Sequence, residues 1–356
     1  MRIPAFLLAL ALAAAAPASA QRLTLAPDIE LALSGGIQPR VSLADSEDQS
    51  RYGFGLRRAR IQARVFYRDL AGVEYDVDGG SGTIQSVDLF AFANLSEAVQ
   101  ARVGYFAVAQ PRGGILTPYP LIDAVDRAAI VERWFAGTIG GDGRDLGADV
   151  SYQSGPAFAT LAVHNGAGSY DRATGNVREG ISSTDVVGGP ETAGLALTAA
   201  ASYEVSPGVE VGAFAGVNGA DPARTARGGQ GRDYATGGAH LYWGAVPGSQ
   251  PVRIKLDALA IAYEDDALGG QDAAGVSAFG AVRVLGAGEA FARAERYWAD
   301  LDDDPSDYVT AGLSYSASAA RGAPYHRARM TLGYQYRGGD ALPDAHLVIL
   351  QGQLAF

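Results

Sequence analysis

The sequence predicts an all-β fold, a transmembrane antiparallel β-barrel of about 16 strands with a long third loop folded into its lumen. Three observations lead to this prediction. Apolar side chains alternate with polar or small ones along most of the chain, which is typical of strands. The connections between these segments are alternately short and long, and an alternating apolar segment ends the chain at Phe356.

The composition of the 356-residue chain excludes several other classes of protein. Hydrophobic residues (48%) and charged residues (19%) are spread evenly, unlike the segregated polar tracts of disordered chains. Glycine and proline interrupt the uncharged stretches, so no helical span of about 20 apolar residues is expected. Without cysteine there are no disulfides, iron–sulfur clusters or thiolate zinc sites. The net charge of -11, with no dense basic run, argues against nucleic acid as a partner.

The N-terminal segment has the pattern of a secretory signal peptide, which implies Sec-type export. Arg2 supplies a positive charge, Phe6 to Ala16 is an apolar run, and Ala18-Ser19-Ala20 is a small-x-small cleavage site. The alternative, an uncleaved anchor helix, needs a longer apolar run. The sequence therefore divides into a signal peptide, residues 1–20, and one barrel domain, residues 21–356.

Strands are predicted from Glu30 onward, as sixteen segments of about 8 to 13 residues bounded by Gly, Pro, Asp, Asn or Ser. The second segment shows the pattern clearly, because Ile61, Val65 and Tyr67 share one face while the charged Arg60 and Arg64 share the other. Alternation alone does not distinguish a water-soluble sandwich from a barrel.

Three further features favour a barrel in an outer membrane. The even-numbered connections are short, as at Arg68 to Gly72, whereas odd-numbered ones are generally longer, as at Ala107 to Asp142 and Gly166 to Thr192. Aromatic residues of the apolar faces fall near strand ends, as expected for girdles at the two lipid–water interfaces. An apolar last strand that ends on Phe356 is typical of an outer-membrane assembly signal.

Arginines on the polar faces are the main candidates for function. A charge that faces lipid at the membrane midplane costs about 2 to 4 kcal/mol, so these arginines should point into the lumen. Closure places the fifteenth, sixteenth, first and second strands side by side, which would gather most of them on one wall. The candidate ladder consists of Arg58, Arg60, Arg64, Arg40, Arg102, Arg327 and Arg329.

Two interpretations of this ladder stay open. It could form an anion path, or it could be a structural network in which arginines pair with carboxylates of the next strand. A tight turn at Arg68 to Gly72 would place Arg64 near Asp76 and Gln62 near Asp78, which favours at least partial neutralisation.

The third loop, Ala107 to Asp142, is too long and too apolar to be a simple solvent-exposed connection. It should pack against the inner wall and narrow the pore, or else cover the outer rim or a subunit contact. Leu121 to Phe135 could form a short helix. Its charged residues are Asp123, Asp126, Arg127, Glu132 and Arg133.

Several short motifs, in the same order, resemble the phosphate-selective porin O and P family. The motifs are Arg57-Arg58-Ala59-Arg60, Glu74-Tyr75-Asp76-Val77-Asp78, Val103-Gly104-Tyr105-Phe106, Glu132-Arg133, Arg144-Asp145-Leu146-Gly147 and Val163-His164-Asn165-Gly166. The resemblance implies a sixteen-stranded, trimeric outer-membrane channel with a constriction loop and an arginine ladder made by Arg58, Arg60 and Arg64. Members that select phosphate also use lysines at the entrance, whereas this chain has a single lysine, Lys255, among acidic loops.

Signals for catalysis or for a cofactor are weak. The four histidines are far apart and lack metal-ligand spacing, and the acidic run from Asp300 to Asp307 lacks the order of a calcium loop. The sequence therefore predicts no enzyme, no metal and no cofactor. It predicts an outer-membrane porin, a passive diffusion channel for small hydrophilic solutes with a preference for anions such as phosphate, surrounded by outer-membrane lipid. The alternative is a non-conducting outer-membrane barrel that serves as an adhesion, structural or enzymatic scaffold.

Overall fold

The computed structural model describes residues 21–46, 49–80, 82–114, 116–139, 143–166, 195–219, 233–263, 272–339 and 343–356. The predicted signal peptide, residues 1–20, lies outside the described residues, as does most of the loop predicted from Gly166 to Thr192.

The described part of the chain consists mainly of strands. They are β1 Gln21–Ala26, β2 Ile29–Ser46, β3 Gln49–Tyr67, β4 Ala71–Asp78, β5 Gln85–Asn94, β6 Val99–Ala107, β7 Arg144–Ser154, β8 Ala157–His164, β9 Ala196–Ser206, β10 Val209–Asn218, β11 Tyr234–Trp243, β12 Val252–Tyr263, β13 Ala273–Val284, β14 Gly288–Trp298, β15 Ser306–Ser316, β16 Ala328–Gly338 and β17 Ala345–Ala355. One α-helix, α1, spans Ala129–Gly137, and 3-10 turns span Tyr119–Leu121 and Ala319–Arg321. Within the described ranges, no helix has the length and apolar character needed to cross a membrane.

Strands β2 to β17 form a closed antiparallel barrel. Each pairs with the next strand in sequence, and β17 pairs with β2. Sixteen strands therefore close the barrel, and the predicted fold class is confirmed. Closure pairs the backbone groups of every strand, which a bilayer requires because an unpaired edge in hydrocarbon is costly.

Strand β1 was not predicted, because its six residues are too few for a clear alternation. It pairs with Ile29 to Leu33 of β2, just beyond the place where the backbone of Phe356 pairs with Gly35. Strands β1 and β17 therefore pair with successive parts of the same edge of β2. Gln21 and Phe356 both lie near this edge, which we call the seam.

The predicted apolar and polar faces match the exposure of the side chains. On β3, Ile61 and Tyr67 are 60% and 50% exposed on the outer surface, while Arg58 is buried on the inner side. On β17, Val348 is exposed and Gln351 is buried. The barrel therefore has an apolar outer surface and a polar inner one, with the alternation that the sequence shows.

The predicted pairing of β3 with β4 was wrong by two residues. Arg64 lies opposite Glu74 and Arg60 lies opposite Asp78, whereas Arg64 was expected near Asp76. The reason is a shorter turn. Tyr67 already pairs with Ala71, and Arg68 adopts a positive φ of 50° that lets the chain reverse within three residues.

The predicted alternation of connection length holds only in part. Strand β2 ends at Ser46 and strand β3 begins at Gln49, so the first odd-numbered connection is short. Asp45, which was expected in this loop, lies in β2. Two even-numbered connections, residues 244–251 and 317–327, are longer than expected. These two segments are in contact: Gly248 lies so close to Tyr325 that a Cβ added to it would be 2.6 Å from the tyrosine ring. Besides reversing the chain, these two connections therefore pack against each other.

Candidate functional site

The third loop lies inside the barrel and contacts both sides of the wall. On one side, Asp126 accepts hydrogen bonds from Arg57 at 2.8 Å and from Arg40 at 3.3 Å. On the other side, Asp123 accepts one from Lys255 of β12 at 2.6 Å. A segment that bonds to β2, β3 and β12 together has to cross the interior, so these contacts place the loop within the barrel and not over its outer rim.

Helix α1 packs on the wall formed by β10 to β14. Trp134 lies edge-to-face with Phe214, and its indole nitrogen donates to Thr236 at 2.9 Å. No side chain of the loop caps the helix, but the backbone N–H of Ile130 donates to Glu295 of β14 at 3.1 Å. A carboxylate at a helix N-terminus satisfies free N–H groups and the helix dipole, so the wall itself fixes where α1 begins.

A buried ionic network ties the loop to β12 and β14; we call it the latch, made of Asp123, Arg253, Lys255 and Glu289. Asp123 bonds to both cations, and Arg253 donates to the two oxygens of Glu289 at 2.7 Å each. Lys255 also donates to the carbonyl of Ala245 at 2.7 Å. Burial opposes the ionisation of Asp123, but Lys255 and Arg253 outweigh it and hold the pKa of this carboxyl below its usual value.

Of the remaining charged loop residues, Arg127 has partners within the loop, whereas Glu132 and Arg133 contact the barrel wall. Arg127 donates to the carbonyls of Gly113, Gly114 and Thr117, which stabilises the folded start of the loop. Burial, followed by the nearby charges of Arg58, Arg144 and Arg60, lowers the pKa of Arg127 to about 9. Glu132 lies 3.7 Å from Arg57, and Arg133 donates to the hydroxyl of Tyr308 at 3.1 Å.

A cavity of about 570 Å³ lies on the opposite side of the interior, between the loop and the wall of β2 to β7. Pro118, Tyr119 and Pro120 border it, and Phe356 and His326 line its edge at the short-turn end of the barrel. Its charged lining consists of Arg60, Arg64, Arg102, Arg144, Arg327, Glu74, Asp76 and Asp88. The lining thus has five cations and three anions, and two further carboxylates, Asp78 and Asp149, pair with Arg60 and Arg102.

The structure separates the seven predicted ladder arginines into two groups. Arg60, Arg64, Arg102 and Arg327 line the cavity. Arg40 bonds to Asp126 and Arg58 to Gln38, while Arg329 is buried and donates to the carbonyl of Ile122 at 2.7 Å. Arg40, Arg58 and Arg329 contact the third loop or the wall, because the third loop occupies the part of the lumen that they face.

Most cavity arginines have carboxylate partners. Arg60 donates to Asp78 at 2.9 Å, Arg64 lies 3.1 Å from Glu74, and Arg102 bonds to Asp149. Arg327 differs, since within the described residues no carboxylate lies in ion-pair range of it. The structural network that the sequence left open therefore exists, and the conducting role of the arginines stays a prediction.

Three features of the site were not predicted. Arg144 lines the cavity from the start of β7 and donates to both oxygens of Asp88, at 2.9 and 3.0 Å. The motif Arg144-Asp145-Leu146-Gly147 contains this arginine, but the sequence alone did not assign its side chain to the inner or the outer face. Arg57 and the inward phenylalanines of β3, β5 and β6 were also missed, because side chains adjacent across strands are distant in sequence.

The histidines do not form a metal site within the described ranges, where no group of three or more His, Asp and Glu side chains could hold an ion. His164 is fully buried and bonds to Asp145 at 2.7 Å and to Thr198 at 3.3 Å. These contacts link β7, β8 and β9 on the inner side of the wall.

Comparison with solved structures identifies the architecture. An anion-selective porin from Comamonas acidovorans is 14% identical, with a TM-score of 0.63 over 92% of this chain and 100% of that one. The trimer form of OmpT, an outer membrane protein of Vibrio cholerae, is 12% identical, with a TM-score of 0.59 over 92% of this chain and 99% of that one. OmpF of Salmonella typhi, in complex with daunomycin, is 12% identical, with a TM-score of 0.57 over 94% and 100%.

The chain has the fold of outer-membrane porins. At these identities the likeness concerns the fold alone. No protein-family model matches the sequence, and no curated protein matches it either.

Proposed function

We propose that the protein is an outer-membrane porin, a passive diffusion channel for small hydrophilic solutes with a preference for anions such as phosphate. One observation carries the proposal. The interior of the closed barrel keeps a cavity of about 570 Å³ whose lining contains five arginines and three acidic residues. A barrel of sixteen strands is wide enough for an aqueous passage, unlike a small barrel that side chains fill.

The anion preference follows from the charges at this cavity. Arginine stays protonated at any relevant pH, so the five guanidinium groups are permanent cations. Charges that line a narrow passage with low-dielectric walls act strongly on a passing ion, whereas exposed loop carboxylates are screened within about 8 Å at physiological salt. The cavity arginines should therefore outweigh the net charge of -11.

Phosphate is the finer part of the proposal, and it rests on the motif resemblance and on the guanidinium groups, which bind phosphate well. The single lysine does not add to it. Lys255 is buried in the latch with Asp123 and Ala245, so it is not free to attract phosphate at an entrance.

The remaining parts of the proposal concern assembly. The apolar outer surface and the porin fold support an outer-membrane location reached by Sec-type export, with lipid around the barrel. The trimer form of Vibrio cholerae OmpT supports a homotrimer. Phe356 pairs with Gly35 at the seam, at 3.0 and 3.1 Å, which suits a role in assembly as well as in closure.

Planar-bilayer electrophysiology with the purified protein tests the channel. We expect ion conductance and a reversal potential in a KCl gradient that reports anion preference, and addition of phosphate should reduce the chloride current. Changing Arg60, Arg64 and Arg327 together to Gln should shift the reversal potential toward cations. The matched control is Arg296→Gln, an ion-paired arginine at the exposed end of β14. A folded barrel without conductance would support the scaffold alternative instead.

Deletion of Phe356 tests the assembly role. We expect less heat-modifiable, folded protein in outer-membrane fractions, since the deletion removes both backbone hydrogen bonds to Gly35. An unchanged yield of folded protein would show that the terminal residue is dispensable for assembly.

A further inference from the structure

Beside the cavity, four inward phenylalanines pack together in the barrel wall, and one of them, Phe90, lines the cavity itself. Phe66, Phe90, Phe92 and Phe106 come from β3, β5 and β6 and follow one another edge-to-face, with centroid distances of 5.8 Å, 6.5 Å and 6.1 Å. We call this set the phenylalanine row. Three of the rings are buried in an apolar cluster with Val108 and Ile139, which explains their packing but not the two arginines that lie on them.

Two glycines make room for the row. A Cβ at Gly72 of β4 would lie 2.5 Å from Cζ of Phe92, and one at Gly104 of β6 would lie 2.9 Å from Cβ of Phe90. Gly104 also has a φ of +136°, which side-chain-bearing residues rarely adopt. The ring of Phe92 therefore lies over Gly72, and β5 approaches Gly104 closely at Phe90, in space that a larger residue would fill.

Two arginines lie on the row. The Arg64 guanidinium is 4.4 Å from the ring centre of Phe92 and 5.3 Å from that of Phe66. The Arg102 guanidinium is 4.5 Å from the centre of Phe106 and 5.2 Å from that of Phe90. Both line the cavity, and their side chains are 32% and 21% exposed. Each thus has one face on a ring and part of its surface open to the solute path.

The hydrogen-bonding edges on this wall are largely occupied. Arg102 turns Nε and Nη2 to Asp149, and Arg144 turns the same two atoms to Asp88. Arg64 has Nε beside Glu74. A tetrahedral oxyanion binds best through such a fork of two N–H groups, so these arginines offer it less than a free guanidinium would. What they offer is a flat cationic face, on which a planar π system stacks well.

We propose that the phenylalanine row with Arg64 and Arg102 is a subsite for planar aromatic carboxylates. The inference rests on the proposed channel and names a solute class that the channel favours. The aromatic ring of the solute stacks on an arginine face, while its carboxylate is attracted by Arg327, which lines the cavity and has no carboxylate in ion-pair range among the described residues.

The test compares two anions of equal charge and similar size, benzoate and cyclohexanecarboxylate, as inhibitors of chloride current through the channel. We expect benzoate to reduce the current by half at about a fivefold lower concentration, because only benzoate has a π face to stack. Equal inhibition by the two anions would overturn the subsite and leave the channel proposal intact.

Two variants separate stacking from charge. The double change Arg64→Lys and Arg102→Lys keeps both charges but removes the planar group, so anion selectivity should persist while the benzoate advantage disappears. Phe92→Leu removes one ring of the row and should reduce that advantage with every charge in place. Arg296→Lys, at an exposed position on β14, should have no effect. A benzoate advantage that survives both cavity variants would contradict the subsite.

A readout without current keeps the two proposals distinct. Saturation-transfer NMR on the folded barrel in detergent should show benzoate bound more tightly than cyclohexanecarboxylate, by a similar factor. Binding without conductance would refute the channel and retain the subsite, whereas conductance without preferential binding would refute the subsite alone.

Discussion

Along β12 to β16 the inward arginines are buried against the third loop, whereas along β3 to β7 they border an open cavity. In the first region, the filled half, Arg253 has no exposed surface and Lys255 is 6% exposed, and both bond to Asp123. In the second, the open half, Arg64 keeps 32% of its side chain exposed although Glu74 is near. The two halves share residue types and alternation, and they differ in access to water.

The difference indicates that charged side chains in this lumen occur in two environments, buried ionic networks and the partly hydrated lining of a cavity. In the filled half the charges are desolvated, so they are stable only in complete networks such as the latch. In the open half Arg64 and Arg102 keep partial hydration beside their aromatic contacts. Arg327, just before β16, lines the same cavity, and no carboxylate of the described residues lies in ion-pair range of it. The loop that fills one half of the interior therefore leaves the cavity in the other half.

The largest effect is expected from breaking the latch with Asp123→Ala. This change leaves two buried cations short of a partner, which costs about 3 to 5 kcal/mol, and it releases the loop from β12. Single-channel conductance should rise and become noisier, and the folded form should be lost at a lower temperature in heat-modifiability gels.

The control changes the other loop acid. Asp126→Ala breaks ion pairs with Arg40 and Arg57, which are about one-third exposed, so its cost should be within about 1 kcal/mol. Equal effects of the two substitutions would contradict the distinction between the halves.

Acid should release the same latch only at low pH. The pKa of Asp123 lies below its usual value because Lys255 and Arg253 outweigh the effect of burial. A carboxyl with a depressed pKa in the folded state contributes its full stabilisation above the unfolded pKa, about 3.9, and loses it as the pH falls through the lower folded value. Loop-dependent conductance should therefore stay constant from pH 7 to about 4, and recordings at stepped pH check this.

A smaller effect is expected from Gly72→Ala in the open half. The new methyl would lie 2.2 Å from the carbonyl oxygen of Val65 and 2.5 Å from Cζ of Phe92, so overpacking should cost about 1 to 3 kcal/mol. Gly280→Ala on the outer surface is the matched control, since its methyl meets nothing within 4 Å. Thermal unfolding of both variants should separate them; equal stability would mean that the phenylalanine row tolerates displacement.

The smallest effect is expected from Arg329→Gln in the filled half. Arg329 is buried, and it donates to the carbonyl of Ile122 instead of facing the cavity. The reversal potential in a KCl gradient should stay unchanged, whereas Arg64→Gln in the open half should lower the anion-to-cation permeability ratio by roughly a factor of two. A shift as large for Arg329→Gln as for Arg64→Gln would place both arginines on the solute path.

Local pattern in the sequence was enough to determine the barrel. Alternation places Ile61 outside and Arg60 inside because successive side chains on a strand point to opposite faces, and a bilayer tolerates only one assignment of those faces. Closure then follows, since strands in hydrocarbon cannot keep a free edge.

Tertiary structure decided which inward charges meet water. Arg329 and Arg327 are two residues apart on one face, yet the first is buried under the loop and the second lines the cavity. Nothing in the spacing distinguishes them, because their environments depend on where a loop from β6 lies, and that depends on contacts such as Asp123 with Lys255, 132 positions apart. Likewise, the turn between β3 and β4 shifts the strand register by two residues from the predicted one, so Arg64 lies opposite Glu74 and not near Asp76. Register depends on turn geometry, which alternation does not encode.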